Sequence, residues 1–169
     1  MSIAICPGSF DPITLGHLNI IRRTSKIFDE VIVVVMQNNM KKSSYWFSEE
    51  ERVAMIKKAV SRYKNVRVES NDGLLADYAK SFEGAVIVKG LRASSDFEYE
   101  FQMNMANKKI NPQLETMFIT ADGKYNFLSS SLVRELATYH ADLKEFVPNE
   151  LIDEIYARAD QRRGNKWKT

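Results

Sequence analysis

With 169 residues, 44% hydrophobic and 27% charged, the chain is long enough for one sizeable core and too short for two average domains. Its net charge of +2 marks no broad nucleic-acid-binding surface, no apolar run approaches the roughly 20 residues of a membrane span, and its start reaches Pro7-Gly8 before a signal-peptide core could form. The single Cys6 excludes an internal disulfide framework and a cysteine metal cluster, and it makes a reducing, cytoplasmic location the default expectation.

Short β-branched apolar runs alternate with longer segments of helical period, the pattern of βαβ units around a parallel sheet. Strands are expected at Ile3 to Cys6, Val31 to Met36, Val66 to Glu69, Val86 to Val88 and Met117 to Thr120. Helices are expected between them at His17 to Phe28, Glu49 to Val60, Leu74 to Phe82 and Phe97 to Ile110, then at Ser131 to Tyr139 and Glu150 to Ala159. Ser48 with Glu51 three residues on is a capping box that starts the second helix. The sum is a doubly wound, Rossmann-like α/β fold: a five-stranded parallel sheet with C-terminal helices, one domain over residues 1–160, whose ligands bind beyond the carboxyl ends of the strands.

From Arg158 onward five cations stand against the single anion Asp160, so residues 161–169 read as a solvated, disordered basic tail rather than a nucleic-acid contact. Phe97, Tyr99, Phe101, Met103 and Met105 read as core or subunit interface. His140 has no carboxylate or cysteine at metal-ligand spacing and reads as a surface or capping residue.

Four segments carry chemistry at the sheet edge. Cys6-Pro7-Gly8-Ser9-Phe10-Asp11-Pro12-Ile13-Thr14-Leu15-Gly16-His17 joins the first strand to the next helix, bringing backbone N–H groups and a helix N-terminus where an anion is favoured. A plain β–α turn, in which His17 merely begins the helix, explains the Gly-His pair taken alone. Lys89-Gly90-Leu91-Arg92 closes a strand and sets two cations around a glycine, Arg92 with the planar fork suited to phosphate. Ser129, Ser130 and Ser131 precede an apolar-periodic helix; capping accounts for one hydroxyl, and a phosphate cradle of hydroxyls and N–H groups accounts for three. Lys41 and Lys42 follow the second strand in a polar loop, where a solvated pair and a phosphate contact both fit.

Taken in order, these segments resemble the nucleotidyltransferase superfamily, whose mark after the first strand is a His/Thr-x-Gly-His motif, here Thr14-Leu15-Gly16-His17. Within it the resemblance narrows to the bacterial phosphopantetheine adenylyltransferases, through Lys41-Lys42, Lys89 to Arg92 with Asp96-Phe97-Glu98-Tyr99-Glu100, and Ser129 to Glu135. The chain departs from the family pattern at Lys89, where arginine is usual.

The resemblance implies transfer of an adenylyl group from ATP to 4′-phosphopantetheine, giving dephospho-coenzyme A and pyrophosphate. A phosphate monoester with a second pKa near 6 is largely ionised at pH 7, so the attacking oxygen needs no general base. By resemblance, His17, Lys41 and Arg92 would be catalytic. Ser9, Lys41, Leu75 and Lys89 would bind the acceptor. Ser9, Phe10, His17, Gly90, Leu91, Arg92, Glu100 and the run Tyr125, Asn126, Phe127, Leu128, Ser129, Ser130 and Ser131 would bind ATP. Magnesium is expected on the ATP phosphates with no protein-held metal site, coenzyme A is raised as a feedback ligand, and the family suggests a homohexamer. Two rivals stand beside this reading: a cytidylyl- or adenylyltransferase for another phosphate, and a non-catalytic ATP sensor on the same fold.

Overall fold

The β-branched runs Val31 to Val35 and Ala4 to Cys6 form the middle of a sheet in the computed structural model, which describes residues 1–37, 43–92 and 94–166. The strands are β1 (Ile3–Gly8), β2 (Glu30–Met36), β3 (Val66–Asn71), β4 (Val86–Leu91) and β5 (Glu115–Thr120), all parallel, in the order β3-β2-β1-β4-β5. The helices are α1 (Leu15–Thr24), α2 (Glu49–Val60), α3 (Leu75–Ala79), α4 (Ser94–Ile110), α5 (Ser130–Thr138) and α6 (Ile152–Lys166).

Alternate residues of β2 point to opposite faces, and both faces are covered. Val31, Val33 and Val35 pack with Leu18 and Ile21 of α1, Met55 and Ile56 of α2, Val133 of α5 and Ile155 of α6. Ile32 and Val34 pack on the other side with Ile5, Ile87, Ala76 and Ala79 of α3, and Leu114. The expected doubly wound α/β fold is therefore present. Strand order reverses between β1 and β4, and an open α/β sheet has its ligand crevice at that reversal, beyond the carboxyl ends of the strands.

Several strand boundaries differ from the sequence reading for a common reason. Backbone pairing carries strands past their apolar residues: Gly8 pairs with Val35, Asn71 with Met36 and Leu91 with Thr120. Lys89 and Gly90 thus lie inside β4. The helix α1 begins at Leu15 and stops at Thr24, and α3 is only Leu75–Ala79. The last helix, read as ending near Ala159, continues to Lys166, so residues 161–166 of the basic stretch are helical.

The core alternative for the aromatic and methionine row does not hold: Tyr99 is 62% and Met105 51% exposed, and Phe97, Phe101 and Met103 are exposed with them. These residues recur every second position, and a helix of 3.6 residues per turn spreads such a series around its circumference, so one buried face cannot take them all.

Gly90 sets how closely α1 approaches β4. A Cβ built there would lie 2.8 Å from Cγ1 of Ile20, so the contact depends on a position without a side chain. We expect Gly90→Ala to lower stability by about 1–3 kcal/mol through overpacking. In an Ile20→Ala background the added loss should be smaller. Denaturant unfolding of the four proteins checks this; equal losses in both backgrounds would show that Ile20 is not the obstacle.

Candidate active site

The loop between β1 and α1 builds the centre of the crevice. Thr14 is the N-cap of α1, and its side chain accepts from the His17 backbone N–H at 3.3 Å. In return the Thr14 backbone N–H donates to His17 Nδ1 at 3.1 Å. This is a reciprocal capping box with histidine in the place usually held by Glu or Gln. Because Nδ1 is an acceptor, the neutral ring carries its proton on Nε2. The ring is walled by the Phe10 side chain, edge-on with centroids 5.1 Å apart. Burial, then the nearby charges of Arg92 and Lys89, push the His17 pKa down to about 4. At neutral pH His17 is therefore a neutral N–H donor lining the cleft.

The rest of the loop is pinned by buried charge. Asp11, 3% exposed, accepts from the backbone N–H groups of Trp46 and Phe47 at 3.0–3.1 Å and pairs with Arg134 of α5 at 3.2 Å. Arg52 of α2, 1% exposed, donates to the Ser9 carbonyl at 2.8 Å and to the Ser48 carbonyl at 3.3 Å, with its guanidinium 4.2 Å from the centre of the Tyr45 ring. Between these anchors Phe10 takes a φ of 48°, a left-handed conformation that costs a bulky residue energy and that surrounding contacts must hold. Phe10 lies against Gly8, where a Cβ would meet the ring at 2.9 Å.

Two lobes of about 580 and 640 Å³ open from this loop, each of a size to hold a small ligand. They share Pro7, Gly8, Ser9, Tyr45, Lys89, Tyr99 and Glu100 as a common wall. The first contains Phe10, His17, Gly90, Arg92, Tyr125, Leu128 and the three serines; the second runs under Leu75. At the wall, Lys89 and Glu100 form an ion pair at 3.2 Å, both largely buried. Arg92 donates to the Leu128 carbonyl at 2.6 Å, which ties β4 to the serine segment.

Each serine also has a structural partner. Ser129 caps α5 by accepting from the Leu132 N–H, Ser130 Oγ donates to the Pro12 carbonyl at 2.7 Å, and Ser131 Oγ accepts from Arg134. Helix geometry leaves the Ser130 and Ser131 backbone N–H groups without intrahelical acceptors. Leu91, Asn126 and Phe127 do not line either lobe; Phe127 is exposed and its ring packs on Phe146. Lys41 and Lys42 lie outside the described residues.

Among the described residues no group of three or more His, Cys, Asp or Glu side chains is placed to hold a metal. The carboxylates of the first lobe, Asp11 and Glu100, are already paired with Arg134 and Lys89. Cys6 also borders the cleft, but burial pushes its thiol up to about 12, which removes it as a nucleophile.

Sequence reasoning gave no role to Asp11, Tyr45, Arg52 or Arg134. One of them left a readable signal: Arg52 falls on the same helical face as Met55, Ile56 and Ala59, all buried, and a charge on an apolar face marks a buried partner. Asp11 and Arg134 stood inside quoted motifs, but their pairing across 123 positions has no local signature.

A cytidylyltransferase-like family model matches residues 5–136. A phosphopantetheine adenylyltransferase of Finegoldia magna is 53% identical over 156 residues, covering 92% of this chain and 95% of its own. One from Clostridium tetani is 48% identical over 162 residues, covering 96% of this chain and all of its own. Among solved structures, a Plasmodium falciparum nicotinic acid mononucleotide adenylyltransferase complexed with APC has a TM-score of 0.67 at 20% identity, covering 94% of this chain and 97% of that one; this likeness shows the fold alone. Identity near one half, sustained over nearly the whole length of both relatives, means that the chain belongs to the phosphopantetheine adenylyltransferase family of nucleotidyltransferases.

Proposed function

We propose that the chain joins ATP and 4′-phosphopantetheine into dephospho-coenzyme A and pyrophosphate by direct in-line transfer. The observation that carries this reading is the two-lobed cleft with one shared wall, which allows two anions to meet at Ser9 and Lys89. An oxygen of the acceptor phosphate forms a bond to the α-phosphorus of ATP, and the bond from that phosphorus to the bridging oxygen of pyrophosphate breaks. No protein nucleophile is needed, and catalysis is positioning plus charge neutralisation.

In this reading ATP takes the lobe of His17 and the serines, and the pantetheine arm takes the lobe under Leu75. Ser9 and Lys89 hold the acceptor phosphate, together with Lys41. His17 donates Nε2–H to the α-phosphate as charge builds there, while Arg92 and the first-turn N–H groups of α5 hold the outer phosphates. Glu100 keeps the Lys89 ammonium at the wall between the lobes. Magnesium would arrive with ATP and supply positive charge at its phosphates, since the first-lobe carboxylates Asp11 and Glu100 are engaged in ion pairs. The exposed apolar row of α4 fits self-association in the homohexamer that the family suggests. The lone buried Cys6 fits a reducing cytoplasm, and no helix among the described residues is long and apolar enough to cross a membrane.

A pyrophosphate-release assay tests the substrates. 4′-Phosphopantetheine with ATP should be turned over in preference to nicotinate mononucleotide or glycerol phosphate, and in preference to any acceptor with CTP; equal use of another acceptor, or preference for CTP, would overturn the substrate assignment.

His17→Asn separates the two jobs of this residue, because Asn can accept from the Thr14 N–H yet offers nothing at the Nε2 position. It should fold, keep most ATP affinity and lose about 10² to 10³ in kcat, the usual cost of one transition-state donor. Rapid-quench mixing of the wild type with α-labelled ATP and no acceptor should leave no label on the denatured protein. Label that is retained, and absent from His17→Asn, would replace direct transfer with a covalent route.

The same variant tests the neutral state. The folded pKa of about 4 lies below the unfolded value of about 6.5. Between these values the unfolded chain binds a proton that the folded chain does not, so stability falls as pH drops through this window and is unaffected above it. At about 1.4 kcal/mol per unit, wild type should lose roughly 2–3 kcal/mol from this group between pH 7 and 4.5. Denaturant midpoints at the two pH values should show a smaller loss in His17→Asn; identical slopes would mean that His17 is not buried in its neutral form.

A further inference from the structure

The cations that begin at Arg158 play no part in the reading above. Arg158 and Arg162 lie one turn apart on α6 and so share a face, and that face meets residues 45–47, just before α2. Arg158 donates to the Trp46 carbonyl and to the Glu51 carboxylate of α2, and its guanidinium lies 4.9 Å from the centre of the Phe47 ring. The Arg162 guanidinium lies 5.6 Å from the centre of the Trp46 ring, with Nη1 3.5 Å from the Tyr45 carbonyl.

The same three residues are held from the opposite side. Asp11 takes the N–H groups of Trp46 and Phe47, and Arg52 stacks on Tyr45. The backbone of this segment is thus gripped through its N–H groups by the β1–α1 loop and through its carbonyls by the C-terminal helix. Its Tyr45 side chain belongs to the wall common to both lobes.

We propose that Arg158 and Arg162 are positioning residues for the transfer: through Trp46 and Tyr45 they hold the wall at which the two substrates meet, making α6 part of the active site's support without contact to either substrate. The inference rests on adenylyl transfer between the two lobes. In-line attack is sensitive to alignment, and a displacement of about 1 Å can cost on the order of 10² in rate. A clasp outside the cleft should therefore act on the acceptor's transfer step and leave ATP binding, which uses the far end of the first lobe, nearly unchanged.

The test uses Arg162→Ala, whose described contacts are with Tyr45 and Trp46, and Arg158→Ala, each with its lysine counterpart. All carry Trp167→Phe so that Trp46 is the sole tryptophan. Arg162→Ala should shift Trp46 emission and lower kcat/KM for 4′-phosphopantetheine about tenfold, a part of the full misalignment cost, with ATP affinity by calorimetry within about twofold of the parent. Arg158→Ala should do more, and Arg162→Lys should recover most of the loss because a cation over the indole returns. A shifted emission with parental kcat/KM, or a matching fall in ATP affinity, would overturn the proposal, as would a lowered melting temperature as the sole change. The parent protein run in parallel keeps the two readings apart: a parent that makes no dephospho-coenzyme A defeats the functional reading, whereas silent variants beside an active parent defeat only the clasp.

Discussion

The active-site region is organised around one buried carboxylate. Asp11 sits at 3% exposure, where an unpaired charge would be prohibitively costly, and three groups from two other parts of the chain compensate it: the N–H groups of Trp46 and Phe47 and the guanidinium of Arg134. Hydrogen bonds to a charged acceptor are worth more than neutral ones, and leaving such a group unsatisfied costs more than the bond contributes. The β1–α1 loop, the segment before α2 and the first turns of α5 therefore cannot move independently. Each of these carries residues that line the cleft, so the carboxylate fixes their relative positions even though its own oxygens are occupied by the protein.

The loop's second anchor has a chemical consequence beyond packing. A glutamate at position 17 would close the capping box equally well, but histidine closes it with Nδ1 and leaves a second nitrogen on the far side of the ring. Burial and the two cations Arg92 and Lys89 disfavour protonation, so the ring is held neutral, in one tautomer, with its donor toward the cleft. Such a group can stabilise developing negative charge without reorganising when the reaction occurs. Lys89 contributes to this neutrality while being held by Glu100 at the junction of the lobes. One lysine thereby serves two adjacent electrostatic tasks, which a strand position reaching the sheet's carboxyl edge permits.

Support for the cleft extends outward in layers. Arg52 and Arg134 hold the loop itself, and Arg158 and Arg162 hold the segment that the loop holds. Arginine suits this work because its planar fork can meet a carbonyl and a carboxylate together while its face lies on an aromatic ring, as Arg158 does with Trp46, Glu51 and Phe47. The aromatic and methionine row of α4 is exposed, with Tyr99 in the wall common to both lobes and Met103 lining the second.

The sequence by itself determined the elements whose signal is local. Alternation of β-branched runs with helical periods located all five strands and placed α2 to the residue, because hydrophobic period and a capping box are written within a few consecutive positions. The Thr14 to His17 turn, Lys89 to Arg92 and the serine run were likewise legible, since chemistry at a strand end or helix start needs particular residue types at fixed spacing. Tertiary structure alone decided three other matters. Strand ends extended past their apolar residues because pairing is a backbone property. The period-two row on α4 remained exposed because a helix cannot bring alternate residues to one face. The roles of Asp11, Arg134 and the α6 arginines emerged only in the fold, because their partners lie 35 to 123 positions away; only chain topology brings such residues within bonding distance, and nothing in the neighbouring residues of any one of them encodes the meeting.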